Sequence, residues 1–150
     1  MRWQNDDQLH LTLRFIGEID ARVADDVASA LGTAHHLPFE IALSGIGSFE
    51  RRGSPEVLWA GVTPHDQLKL LHKKVDQGCQ RAGLAPEKRA YSPHITLARL
   101  KRGSGPIGHL LETSGGFYSE PFTVDSFCLY ESQLTPEGAV YQLIERYPLG

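Results

Sequence analysis

Two short phrases carry residue types that can do chemistry together: His10-Leu11-Thr12-Leu13 and His94-Ile95-Thr96-Leu97. Each places an imidazole two residues before a hydroxyl, with apolar residues between and after. On a β-strand, side chains at i and i+2 share a face. The alternation therefore predicts that His10 and Thr12 look one way while Leu11 and Leu13 enter a core. The same reasoning pairs His94 with Thr96. A single His-x-Thr is a weak signal, since a lone strand histidine is more often structural, and chance alone gives about 0.3 such pairs in a chain of this composition. Its doubling, on segments with matching apolar partners, is what points to a site.

Near pH 7 a neutral imidazole accepts a proton while an imidazolium donates one. Two histidines in opposite protonation states suit an in-line displacement at phosphorus. One activates the attacking oxygen and the other protonates the leaving oxygen. Hydroxyls such as those of Thr12 and Thr96 can donate to the non-bridging oxygens, where negative charge builds. Nothing in the residues alone decides which histidine is acid and which is base. The scheme calls for no metal and no cofactor. A zinc site would need three or four ligands, and neither phrase brings a neighbouring carboxylate or cysteine.

The segment 81–102 narrows the ligand. Arg81, Lys88, Arg89, Arg99, Lys101 and Arg102 stand against Glu87 alone, a local +5 in a chain of net charge −3. That run brackets the second phrase, so an anionic ligand is expected there. Arg99 lies five residues after His94 and would face away from it on a regular strand. A twist or bulge is needed to bring its fork to a phosphate. Tyr91, Phe49 and Phe15 have the rings to stack on a nucleobase, although core packing is the commoner role for each.

The elements that must hold these residues are legible in outline. Residues 8–16 alternate as a half-buried strand. Asp20 can cap a helix whose apolar face is Val23, Val27 and Leu31, ending at Gly32. Strands at 39–46 and 57–63 flank a polar hairpin loop at 50–55. Leu68, Leu71, Val75 and Cys79 mark one face of a helix over 66–82 that Gly83 closes. A strand at 93–100 and a short helical piece near 106–113 follow. Two last strands, about 120–131 and 139–147, meet at the turn Thr135-Pro136-Glu137-Gly138. The order β-α-β-β-α-β-α-β-β predicts an α+β protein of mainly antiparallel sheet, read as a single unit over 1–150.

Composition agrees with that class. The chain has 150 residues, 41% hydrophobic and 22% charged, which suits one globular domain and excludes a disordered tail. No apolar run reaches the roughly 18–20 residues of a membrane helix. The first residues lack the apolar core of a signal peptide, so a cytoplasmic location is expected. Cys79 and Cys128 have no CxxC spacing and read as reduced thiols. A net charge of −3 argues against a protein that coats nucleic acid by bulk charge, but not against one that grips a single phosphate.

The doubled motif resembles the two HxTx signatures of the 2H phosphoesterase superfamily. Its surroundings are similar to the RNA 2′,3′-cyclic phosphodiesterase family, also called 2′-5′ RNA ligases. The supporting phrases are Leu9 to Glu18, Gly45 to Phe49, Val57 to Val62, Tyr91 to Lys101, Leu129 to Ser132 and Gly138 to Tyr141. The resemblance implies two pseudo-symmetric lobes of antiparallel sheet with outer helices around a V-shaped cleft, one HxTx strand on each lobe. It implies metal-independent opening of a terminal 2′,3′-cyclic phosphate on RNA, with tRNA fragments among the substrates. His10 would be the proton donor and His94 the proton acceptor, with Thr12, Thr96 and Arg99 on the phosphate. The reverse joining of RNA ends through a 2′-5′ bond is implied for some relatives. A phosphodiesterase acting on a small cyclic phosphate, or an inactive RNA-end binding module, would share the motif. The family pattern also has a strand and a helix ahead of a Trp that here is Trp3. The expectation is a monomer, with a dimer through an open sheet edge as the alternative.

Overall fold

The computed structural model describes residues 2–100 and 116–150. They form an α+β protein with two helices and sheets whose assigned strand pairs are all antiparallel. The strands are β1 (Arg2–Trp3), β2 (Phe39–Arg51), β3 (Ser54–Thr63), β4 (His94–Arg99), β5 (Phe122–Val124), β6 (Ser126–Thr135) and β7 (Gly138–Pro148). Helices α1 (Ala21–Leu31) and α2 (Asp66–Arg81) complete them. Strands β1-β4-β3-β2-β5 make one sheet in that order, and β6-β7 make a second. The expected helical piece near 106–113 lies outside the described residues, as do Lys101 and Arg102. No helix among the described residues is long and apolar enough to cross a membrane.

The chain divides into two compact units. One draws its described residues from 2–12, 41–64, 93–100 and 116–122. The other comprises 13–40, 65–92 and 123–150. In the first, Leu58, Ala60 and Val62 of β3 line up with Ala98 and Leu100, all nearly inaccessible to solvent. Each large aliphatic side chain so buried stabilises the fold by roughly 1.5–3 kcal/mol. Strands β2 and β3 run longer than the sequence suggests. They meet in a two-residue turn, Arg52-Gly53, with φ of 53° and 79°. Both residues are left-handed, the geometry that matches the twist of a hairpin.

In the second unit the helices follow the predicted faces. The Asp20 side chain accepts from the Val23 amide at 2.8 Å and caps α1. Val27 and Leu31 of α1 and Leu68, Leu71, Val75 and Cys79 of α2 are buried. Gly78 lets the helices approach, since a Cβ there would lie 3.3 Å from Leu31. The Tyr147 hydroxyl donates to the Ala28 carbonyl at 2.6 Å, tying β7 to α1.

One expected strand is missing. Residues 8–16 do not form a regular strand; only Leu11 makes an isolated antiparallel bridge, to Ile95. The edge of β4 is shared instead. Arg2 and Trp3 pair with Arg99 and Ala98, and the Gln4 amide donates to the Leu97 carbonyl. The chain then turns out through residues 5–9, held by reciprocal bonds between Asn5 and Gln8, and rejoins at Leu11. Alternation alone cannot distinguish a strand from an irregular segment that touches the sheet once.

Candidate active site

His10 to Thr12 and His94 to Leu97 belong to the first unit. The cause is the bridge: Leu11 lies directly opposite Ile95. In an antiparallel pair, opposed residues point to the same side and their neighbours to the other. His10 and Thr12 flank Leu11 as His94 and Thr96 flank Ile95, so the bridge brings the two His-x-Thr segments side by side.

His10 is oriented by its own segment. Its Nδ1 lies 2.7 Å from the Gln8 carbonyl, which can only accept, so Nδ1 carries the proton of that bond. Proton exchange with a ligand therefore falls to Nε2. His94 is oriented by rings. Phe49 meets it edge to face at 4.9 Å, and Trp59 lies tilted at 6.3 Å. Phe49 and Trp59 touch each other at 5.5 Å.

The strand register explains this wall. Trp59 pairs with Thr96 and Gly61 with His94, so all four share the polar face. Gly47 pairs with Trp59 on its other side. A Cβ on Gly47 would sit 2.3 Å from the indole, so only glycine leaves room for the ring. A Cβ on Gly61 would sit 2.5 Å from the Ser44 carbonyl. The Trp59 Nε1 is buried without a hydrogen-bond partner among the described residues. Trp59, Gly47 and Gly61 were not singled out from the sequence as site residues. The signal was present in Val57-Leu58-Trp59-Ala60-Gly61-Val62, whose alternation sets Trp59 and Gly61 opposite the buried Leu58, Ala60 and Val62.

Arg99 joins the same face through a bulge. Trp59 pairs with Thr96, but the preceding Leu58 pairs with Ala98, which leaves Leu97 unmatched on that side. The extra residue reverses the alternation beyond it. Arg99 therefore pairs with Val57 and returns to the face that carries His94 and Thr96. Of the other basic residues, Arg81 donates to the Thr33 hydroxyl at 2.6 Å in the second unit. Lys88 and Arg89 line a groove of that unit.

The three aromatics expected to fill core positions behave differently. Tyr91 stacks on His72 at 4.3 Å with rings nearly parallel, and burial pushes its phenol above the ordinary tyrosine range. Phe49 is 40% exposed beside His94. Phe15 is 68% exposed, against the expectation of core packing. It sits outside the core because its neighbour Arg14 takes the interior position, bonded to Asp76 at 3.1 Å.

Proteins of known sequence and structure share this architecture. An RNA 2′,3′-cyclic phosphodiesterase of Aeropyrum pernix is 34% identical, over 96% of this chain and 84% of its own. One from Thermotoga maritima is 33% identical, over 95% and 76%. The crystal structure of Escherichia coli LigT with 3′-AMP superposes with a TM-score of 0.80 at 28% identity, covering 99% of this chain and 80% of that one. The sequence model of the 2′-5′ RNA ligase superfamily matches residues 3–136, and the chain belongs to that superfamily.

Proposed function

We propose that the protein opens the 2′,3′-cyclic phosphate at an RNA terminus to a 2′-phosphate, with His10 and His94 as its proton donor and acceptor. The observation that carries this reading is the Leu11–Ile95 bridge, which brings the two His-x-Thr segments side by side. The names of the relatives above supply the substrate class. In the reaction, water attacks phosphorus in line with the 3′ oxygen. A P–O bond to water forms as the P–O3′ bond breaks. His94 takes the proton from water, and His10 delivers one from Nε2 to the departing 3′ oxygen. Thr12 and Thr96 donate to the non-bridging oxygens, and the Arg99 fork balances their charge. With a 5′-hydroxyl in place of water, the same displacement on the cyclic phosphate joins two RNA ends through a 2′-5′ phosphodiester as the P–O3′ bond breaks.

The scheme needs no metal or cofactor. We place the activity in the cytoplasm, on RNA fragments such as those of tRNA, in a single 2H domain that works as a monomer. Light scattering checks the last point, because β1 is an edge strand where a second copy would pair. The decisive assay is hydrolysis of an oligoribonucleotide 2′,3′-cyclic phosphate in EDTA. His10→Ala and His94→Ala should each lower the rate by roughly 10²–10⁴. Full activity in either variant, or abolition of wild-type turnover by EDTA, would overturn the reading.

A further inference from the structure

The first unit sets two arginines against each other on one sheet face. In the pairing of β1 with β4, Arg2 lies directly opposite Arg99. Opposed residues of an antiparallel pair point to the same side, so Arg2 shares the face that carries His94, Thr96 and Arg99. All four belong to the same compact unit. In such a pair the Cβ atoms stand about 4.5–5.5 Å apart, and like charges placed so destabilise the strands. Both arginines are exposed. The chain as a whole carries a net charge of −3, so an excess of cations does not force them together. Nor does a carboxylate on the next strand answer Arg99. Glu56, beside the Val57 that pairs with Arg99, lies 3.9 Å from Arg51 instead. No ion pair among the described residues engages Arg99.

The reacting phosphate does not account for both guanidiniums. In the reaction proposed above, the hydroxyls of Thr12 and Thr96 and the Arg99 fork already meet its non-bridging oxygens. The row that holds Arg2 and Arg99 also lies three residues along β4 from Thr96, roughly 10 Å at the rise of a strand. A guanidinium is always charged and donates through a planar fork that matches a phosphate. Arg2 therefore has the charge and the donors for a further anion beside the first. In an RNA strand the next anion is the phosphodiester on the 5′ side of the terminal nucleotide.

We propose that Arg2 is a substrate-binding residue that holds this 5′ phosphodiester, next to the Arg99 that faces the reacting phosphate. The proposal rests on the RNA-end reading above and extends it by one nucleotide linkage. What Arg2 recognises is a charge at the 5′ position, not the length of the strand or the identity of a base.

Two measurements test it. The first compares kcat/KM for a nucleoside 2′,3′-cyclic phosphate bearing a 5′-hydroxyl with that for the same compound bearing a 5′-phosphate. The wild type should favour the second, and Arg2→Ala should cut that preference about tenfold or more. Arg2→Lys should keep part of it, since the charge remains without the fork. The second is fluorescence anisotropy of a labelled oligoribonucleotide ending in a 2′-phosphate, which needs no turnover. Arg2→Ala should flatten the dependence of log affinity on log salt by about 0.7, the share of one phosphate contact on a single strand. A wild type indifferent to the 5′-phosphate would overturn the assignment. So would an equal loss on both substrates in Arg2→Ala, the result of a structural role or of a contact with the reacting phosphate. Absence of turnover in the wild type, with the anisotropy effect of Arg2→Ala intact, would instead overturn the catalytic reading alone.

Discussion

At the scale of single residues, the site depends as much on side chains that are missing as on those present. Gly47 gives the Trp59 indole its place, and the indole backs the His94 ring. Gly47→Ala should displace the indole at a cost of about 1–3 kcal/mol, read from urea unfolding, and lower kcat as His94 loses its support. In the proposed reaction the threonines act on charge that develops only as phosphorus is attacked. Thr12→Val and Thr96→Val should each reduce kcat by on the order of 10², with KM little changed. The histidines and threonines stand out in the sequence because type and spacing coincide twice. The glycines were not, because a glycine in a strand announces a close approach without saying what approaches.

At the scale of elements, the helices were the easiest to foresee. Their apolar stripes at three- and four-residue spacing survive in the structure with Val27, Leu31, Leu71 and Cys79 buried as expected. The strand over 8–16 was misjudged for a definite reason. Arg14 reads as an outward residue in the alternation, yet its charge is satisfied inside by Asp76, so it enters and Phe15 is left out. Burial pushes the Asp76 carboxyl up. The hydrogen bonds from Arg14, the Glu87 amide and Gln80, with the Arg14 charge, outweigh it and hold the carboxyl below its usual range. With the folded value below the unfolded one, this group adds stability above the unfolded value near pH 4. That contribution disappears as pH falls through the folded value. Asp76→Ala should destabilise by roughly 3–5 kcal/mol at neutral pH, since it strands a buried guanidinium. Denaturant unfolding should also show a shallower loss of stability in acid for the variant than for wild type.

At the scale of the whole molecule, reaction requires one neutral and one charged imidazole at the same moment. The rate should therefore trace a bell against pH, one arm from each histidine, and His10→Ala or His94→Ala should remove an arm. A profile with a single arm in the wild type would refute paired acid–base action. The fold class and the five-stranded sheet's middle strands followed from hydrophobic patterning. Which segments make up each unit did not, because that depends on which distant stretches return to the same sheet, and periodicity is blind to it. The bulge at Leu97 has a consequence of its own. It shifts the phase of β4, so His94 and Thr96, even-numbered, share a face in its first half with Arg99, odd-numbered, in its second. Without the bulge, with Leu97 paired in regular register, Arg99 would turn to the buried side; deleting Leu97 would instead leave Arg99 opposite Val57 on the polar face with no bulge required. The face of the guanidinium thus depends on how many residues β4 spends between Thr96 and Arg99, and not only on which residues they are.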